Sequence, residues 1–336
     1  MRAELTTRGG AFAGELVSIY LGGGTPGLWR PDCVAAAIAA IVERYGAAHL
    51  REVTIEANPT DCTDERLAAW RAAGITRVSI GVQSLEPSEL IVLGRDHRHG
   101  DGRAAVERAR AAGLVACADF ILGTPGGGGR GAAGIETLGA EHLSVYELTI
   151  ADRTVFAKRV KLGRLIPLDE DALATLYTDA HALLTAQGYE HYEISNYARP
   201  GQRAVHNGLY WQGAAFLGLG VGAASLELRP DGTGVRQTNP RRFRDYEPAP
   251  GQPADLQALR ASELALDRAW LGLRTSDGVP EAALGPARGV ADELVAGGLA
   301  ERRAGWICPT LRGFLMADWI ASRIVQCWDD GSAAAL

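Results

Sequence analysis

VSIYLGGGTP, residues 17–26, is a short run rich in branched and aromatic side chains that stops on three glycines and a proline. So short a run reads as a strand ending in a tight turn. The stretch after it, Pro31–Tyr45, repeats apolar residues at 3.6-residue spacing and reads as a helix. The couplet then recurs. Strands are expected at Val17–Leu21, Glu52–Glu56, Arg77–Val82, Val115–Leu122 and His142–Leu148. Helices are expected between them at Pro31–Tyr45, Asp64–Ala73 and Gly102–Ala112, with Thr63 or Asp61 as a cap and Gly74 and Gly113 as stops. This alternation predicts an α/β fold with a parallel sheet, its short strands buried on both faces, in a barrel or a doubly wound arrangement.

Beyond the fourth strand the pattern loosens. Gly126–Gly134 has poor helix propensity, leaving room for a short helix at Ile135–Gly139. Asp169–Gln187 carries Leu173, Leu176, Tyr177, Ala180 and Leu184 on one helical face. A strand is expected at Glu190–Ser195, then a loop-rich stretch to Ala224, then a hairpin at Leu226–Thr238 turned at Pro230–Gly234. Glu247–Pro253, with three prolines and a glycine, reads as a linker. After it, helices at Leu256–Leu271 and Ala287–Ala296, a hairpin at Gly298–Pro309 around Gly305 and a last helix at Thr310–Cys327 suggest a small winged-helix domain. The expected division is 1–246, a linker at 247–256, and 257–330.

The 336-residue chain is 47% hydrophobic and 22% charged, which suits a globular protein. A net charge of −6 and scattered Lys and Arg argue against nucleic-acid binding. No apolar stretch approaches the ~20 residues of a membrane span, and residues 1–10 lack a signal-like apolar core, so the expected compartment is the cytoplasm. The cysteines, Cys33, Cys62, Cys117, Cys308 and Cys327, form no close pair and no metal-binding spacing, and read as reduced thiols.

Chemistry collects at the ends of the expected strands. The glycines before Thr25 can expose successive backbone groups to a ligand, though no Gly-Lys-Ser/Thr follows to make a phosphate loop. Glu56, Gln83 and Asp119 sit at or near the next three strand ends, where parallel barrels build active sites. A carboxylate and an amide there suit a ligand bearing amines and hydroxyls. Arg95 could meet a ligand carboxylate, whereas His97 and His99 are spaced wrongly for a metal pair on a helix. Tyr189–Trp211 clusters aromatic residues around His206 in an expected loop, a plausible haem setting.

Taken together, GGGTP, TIEANP, GVQS, GRDH, ADFILGTPG, HLSVYELTI, YEHYEISNYARPG and HNGLYW resemble, in content and order, the HemW-like haem-chaperone branch of the radical SAM superfamily. That branch is related to oxygen-independent coproporphyrinogen III oxidase. The resemblance runs from about Val17 to the C-terminus. It implies a (β/α)6 barrel and a small HemN-type C-terminal domain. It also implies S-adenosylmethionine contacts at Gly23, Gly24, Thr25, Glu56, Gln83, Arg95 and Asp119, with Glu147 and Leu148 closing over that ligand. His206 would ligate haem iron, with Tyr210 and Trp211 lining the pocket, and the haem would pass to an acceptor protein. The family opens with a strand and a CxxxCxxC loop holding a 4Fe–4S cluster, and this sequence has no such string. The expectation is therefore a barrel lacking its first strand, no bound cluster and weakened S-adenosylmethionine affinity. Either the start was assigned too far downstream or the copy is degenerate. The leading reading is a haem carrier that need not act as an enzyme, with transient membrane association allowed. The alternatives are a coproporphyrinogen III oxidase or a truncated, inactive copy.

Overall fold

The alternation running through the first five strands is apolar on one side only. In the computed structural model, which describes residues 1–125, 132–152 and 154–333, helix α1 (Arg2–Arg8) precedes β1 (Ser18–Leu21), α2 (Pro31–Tyr45), β2 (Glu52–Ala57) and α3 (Asp64–Ala72). Then come β3 (Arg77–Gln83), α4 (Pro87–Val92), α5 (Asp101–Ala111), β4 (Val115–Leu122) and β5 (His142–Glu147). Strands β1 to β5 are parallel in chain order, and a hairpin of β6 (Glu190–Glu193) and β7 (Asn196–Ala198) pairs antiparallel with β5 through β7. One face of this seven-stranded sheet carries Ile19, Val53, Ile55, Val78, Ile80, Ala118, Phe120 and Leu143, all buried. Leu67 and Trp70 of α3 and Ala105, Val106 and Ala109 of α5 are buried with them. The opposite face alternates in register: Tyr20, Glu52, Thr54, Glu56, Arg77, Ser79, Cys117, Asp119, His142 and Ser144. The strands are largely buried on both faces, as expected, but only one face is apolar. The second face is polar because its groups pair with one another.

At the N-terminal end of that face the pairing is dense. Arg77 Nε donates to Glu52 Oε2 at 2.9 Å, its Nη1 to Cys117 Sγ at 3.0 Å and its Nη2 to the Gln202 carbonyl at 3.0 Å. His142 Nε2 meets the Tyr192 hydroxyl at 2.8 Å. Burial, then the Arg77 charge, holds the His142 imidazole neutral, its pKa down at about 3. This densely paired layer floors the sheet, with Thr54 Oγ1 and His142 Nδ1 left without a hydrogen-bond partner among the described residues.

The chain continues with α6 (Val155–Lys161) and α7 (Glu170–Ala186), capped by Thr154 and Asp169, then α8 (Val205–Trp211), β8 (Ala224–Leu228), β9 (Gly234–Thr238), α9 (Phe243–Tyr246) and β10 (Asp255–Leu259). Next follow α10 (Ala261–Gly272), β11 (Val279–Pro280), α11 (Val290–Ala296), β12 (Ala300–Arg303), β13 (Trp306–Pro309), α12 (Leu311–Leu315) and α13 (Ala317–Ala333). Contacts group the chain into two units: Ser18–Ala35 with Arg51–Ala204, which holds the seven-stranded sheet, and Met1–Val17 with Ala36–Leu50 and Val205–Leu336.

Several local expectations change. The stretch expected to be a helix at Leu256–Leu271 starts as strand β10, which pairs with β9 and makes the hairpin a three-stranded sheet. The expected strand Glu190–Ser195 folds back as the β6–β7 hairpin. The last helix breaks at Met316, between α12 and α13. Ile135–Leu138 forms a single 3-10 turn, and residues 126–131 of the glycine-rich segment lie outside the described residues. The hairpin around Gly305 is present and joins β11 in a small sheet over a core of Leu284, Leu294, Ile307 and Ile324.

Helix α1 is tied to the second unit's own sheet by a buried ion pair. Glu4 Oε1 accepts from Arg8 Nη1 at 2.8 Å and Asn239 Nδ2 at 2.6 Å, and Glu4 Oε2 accepts from the Tyr246 hydroxyl at 2.6 Å and Gly220 N at 2.8 Å. Arg8 also donates to Ser225 Oγ at 2.7 Å. Glu4→Ala would leave the Arg8 guanidinium buried without its counter-charge. The expected loss is about 3–5 kcal/mol, read as a lowered unfolding midpoint in urea by circular dichroism; an unchanged midpoint would show that the network contributes nothing.

Candidate functional site

The polar face changes character toward the C-terminal strand ends. Tyr20 on β1 donates its hydroxyl to Glu56 Oε1 at 2.7 Å, and the other carboxylate oxygen accepts from Gly23 N at 3.0 Å. Glu56 thus bridges the glycine turn to β2. Gly23 and Gly24 adopt positive φ, +81° and +71°, with open space where a side chain would be. A β-carbon at Gly22 would instead collide with the Tyr20 ring. The turn is exposed at the sheet end.

Asp119 is the second carboxylate. Ser79 Oγ lies 2.8 Å and 3.1 Å from its two oxygens, and Ser144 adds a further hydrogen bond. Burial nevertheless pushes its pKa up to about 6, against the lowering effect of the two hydroxyls, and the negative field of Glu56 adds to the rise. The same carboxylates, after burial, push the Tyr20 and Tyr146 phenols above their usual range. Among the described residues, the partners of Glu56 and Asp119 are hydroxyls and a backbone amide, with no cation in hydrogen-bond or ion-pair contact. Two carboxylates held by hydroxyls and an amide can accept from the hydroxyls and amine of a polar ligand.

The remaining expected residues surround this pair less directly. Gln83 ends β3 with a positive φ of 67°, rare for a side-chain-bearing residue and a mark of local constraint. Thr25 precedes a 3-10 turn, its carbonyl accepting from Leu28 N at 3.0 Å. Arg95 is exposed just after α4. Glu147 ends β5, with its carboxyl raised by burial, and Leu148 N donates to the Leu122 carbonyl at 2.9 Å. His206, Tyr210 and Trp211 belong to the other unit and lie on helix α8, which corrects the loop expected there. The His206 ring meets Tyr210 edge-to-face at 4.9 Å, and Tyr210 meets Phe216 at 4.7 Å. One helical turn separates imidazole and phenol, so α8 itself sets their contact.

Tyr20, Ser79 and Ser144 were not singled out from sequence, although each falls at the period-2 position that shares a face with Glu56 or Asp119. A second cluster was also missed: His181 Nδ1 lies 2.9 Å from His191 Nδ1, and His191 stacks on Tyr197 at 4.1 Å. Burial holds His191 neutral, its pKa at about 3.

The thiols do not fit an iron–sulfur cluster. Burial pushes Cys62 and Cys117 up to about 12, so both stay protonated, and among the described residues no group of three His, Cys, Asp or Glu is arranged to hold a metal ion. No helix is long and apolar enough to cross a membrane, among the described residues.

Comparison with known proteins adds the family context. Residues 2–128 match the radical SAM superfamily. The heme chaperone HemW of Mycobacterium tuberculosis is 34% identical over 333 residues, covering 97% of this chain and 85% of that protein. The heme chaperone HemW of Escherichia coli is 37% identical over 238 residues, covering 69% of this chain and 62% of its own length. Among solved structures, coproporphyrinogen III oxidase (HemN) from Escherichia coli, a radical SAM enzyme, superposes with a TM-score of 0.78 at 19% identity, over 96% of this chain and 81% of that one. That likeness carries the fold alone.

The Asp119 shift has a sign that can be measured. Its pKa is higher in the fold than the usual 3.8, so the folded state holds the proton more tightly and stability falls as pH rises from about 4 through about 6. Asp119→Asn removes that penalty. The variant should be more stable than wild type at pH 7–8 by about 1–3 kcal/mol, with the gain gone below pH 4. Parallel urea titrations at both pH values check this; a gain that persists in acid would show that burial of the charge is not its cause.

Proposed function

Because the chain belongs to the HemW-like branch of the radical SAM superfamily, we propose that it binds haem through helix α8 and hands it to acceptor proteins. The observation that supports this most directly is the His206–Tyr210 pair, an imidazole and an aromatic edge one turn apart on a single helix. A neutral imidazole ligates iron, and flat aromatic area suits an apolar macrocycle. His206 and Trp211 are only partly buried and Tyr210 is exposed. A shallow site with one histidine ligand suits transfer, since an acceptor's own ligand can compete from the open side. Haem supplies the iron coordination; the chain supplies the ligand, its orientation and the apolar flank.

We further propose that S-adenosylmethionine occupies the strand ends of the other unit. Glu56 and Asp119 would accept from its amine and hydroxyls, Gly23, Gly24 and Thr25 would offer backbone groups, and Gln83, Arg95, Glu147 and Leu148 would border it. Among the described residues, no cysteine group is arranged to hold the family's 4Fe–4S cluster. A cytoplasmic setting, with the division at residues 247–256 separating a C-terminal HemN-type domain, completes the proposal.

Haem titration followed in the Soret region tests the carrier reading. His206→Ala should lose the ligand-dependent Soret position and weaken binding roughly tenfold or more, with circular dichroism confirming the fold. An unchanged spectrum and affinity would remove His206 as ligand. Separately, Glu56→Gln should weaken calorimetric binding of S-adenosylmethionine without altering haem affinity. Equal affinity in wild type and variant would remove Glu56 from that site.

A further inference from the structure

Helix α8 ends on a backbone that leaves room for a cation. His206 and Tyr210 stand one turn apart on it, and at i+7 from the histidine comes Gly213, where the chain leaves the helix with φ +64°. Gly213 N donates to the Tyr210 carbonyl at 3.0 Å and Ala214 N to the Leu209 carbonyl at 3.0 Å, so the turn is fixed by the last carbonyls of the helix. A β-carbon at Gly213 would lie 2.9 Å from Cγ of Arg268, 3.6 Å from its Nε and 3.8 Å from its Cδ. The Arg268 stem thus crosses the end of α8 through the space a side chain would fill. Glycine suits the position twice, for the left-handed φ and for this close approach.

Arg268 is the single basic residue of α10, the helix packed on α8. It is exposed, and it has no hydrogen-bond, ion-pair or ring partner among the described residues. The acids of its own helix are already taken. Asp267 Oδ2 accepts from Arg236 Nη2 at 2.6 Å and Oδ1 from the Trp270 indole at 3.3 Å, while Glu263 accepts from the backbone and the guanidinium of Arg260. A helix C-terminus attracts a cation by its dipole, yet Arg268 makes no hydrogen bond to an α8 carbonyl, and Gly213 and Ala214 occupy two of them.

Over about 10 Å along one helix, an imidazole, an aromatic edge and an unneutralised cation therefore follow in that order. Haem has the same order from its centre outward: iron, apolar ring, ionised propionates. A planar guanidinium can meet a carboxylate with two parallel hydrogen bonds. We propose that Arg268 binds a haem propionate and makes the α8 site selective for porphyrins that carry ionised carboxylates. This rests on the carrier reading of α8 and adds to it a residue from a second helix. A single iron ligand leaves the ring free to turn about the iron–nitrogen bond; the Arg268 contact fixes which edge of the macrocycle lies toward α10.

The test compares haem with its dimethyl ester, which masks both carboxylates and keeps the iron and the ring. In matched detergent buffer at low salt, the haem-to-ester affinity ratio of the wild type should exceed that of Arg268→Gln about fivefold, the scale of a well-formed exposed ion pair. Arg268→Lys keeps the charge without the fork and should fall between them, and the wild-type excess should shrink as salt rises. All three proteins should keep the same Soret position with haem, because the iron ligand is untouched. A ratio that Arg268→Gln leaves unchanged overturns the assignment, even where both affinities drop together, since Arg268 would then only support α8. If the Soret position still depends on His206 in that case, the carrier reading stands without it. A wild type that binds neither haem nor ester overturns both.

Discussion

A carboxylate brought into the interior of a sheet must be neutralised, hydrogen-bonded or left partly protonated, and Asp119 shows the compromise. Two serine hydroxyls approach it, yet its pKa still sits near 6 because burial outweighs them. A native structure retains such a cost when the group is needed for something other than stability. Glu56 lies on the same face with its oxygens committed to Tyr20 and Gly23, which leaves the pair acceptor-rich and short of donors. The floor of the face is the opposite case. There Arg77 donates to Glu52, Cys117 and a backbone carbonyl at once, and most of the layer's polar groups are paired. One sheet face thus runs from a cation-neutralised polar layer to an acceptor-rich end, and that end is where a ligand could add hydrogen-bond donors.

Much of this fold was legible because its strands are short branched runs closed by turn formers, Gly22 after β1, Asn58–Pro59 after β2 and Gly123 after β4. Val115–Leu122 is observed with the expected bounds and the other parallel strands within a residue or two, since runs of branched residues closed by a turn have few alternatives. The polar face was not legible as a face. In EVTIEA and RVSIGVQ the small polar residues Thr54, Ser79 and Gly81 look like tolerated interruptions in apolar runs, and only pairing in register shows that they share a side with Glu56 and Asp119. Asp119 was found by its place near a strand end, whereas its hydroxyl partners carry no signal until neighbouring strands are aligned.

Where local reading failed, tertiary pairing overrode propensity. Leu256–Leu271 has helical spacing throughout, but Asp255–Leu259 finds an open edge on β9 and becomes a strand; the helix begins only where Glu263 accepts from Arg260 N at 2.7 Å. Helix α8 was hidden for the converse reason. Asn207 and Gly208 disfavour helix, and the segment reads as loop, yet α8 packs on α10 and its backbone ladder runs on to Gln212, whose N donates to the Gly208 carbonyl at 3.1 Å. That change alters the chemistry of the motif, because a loop would let His206 and Tyr210 drift while a helix fixes them one turn apart.

The use of arginine and lysine follows a similar division. Arg8 and Arg77 each spread their donors over two or more partners, and Arg103 grips both the carbonyl and the hydroxyl of Thr137, tasks a rigid planar fork performs well. The two lysines, Lys158 and Lys161, are placed where no fork is wanted, on an exposed helix face with aliphatic neighbours. An ammonium on a flexible stem is a compact, strongly hydrated point charge, whereas a guanidinium suits fixed, planar oxygens.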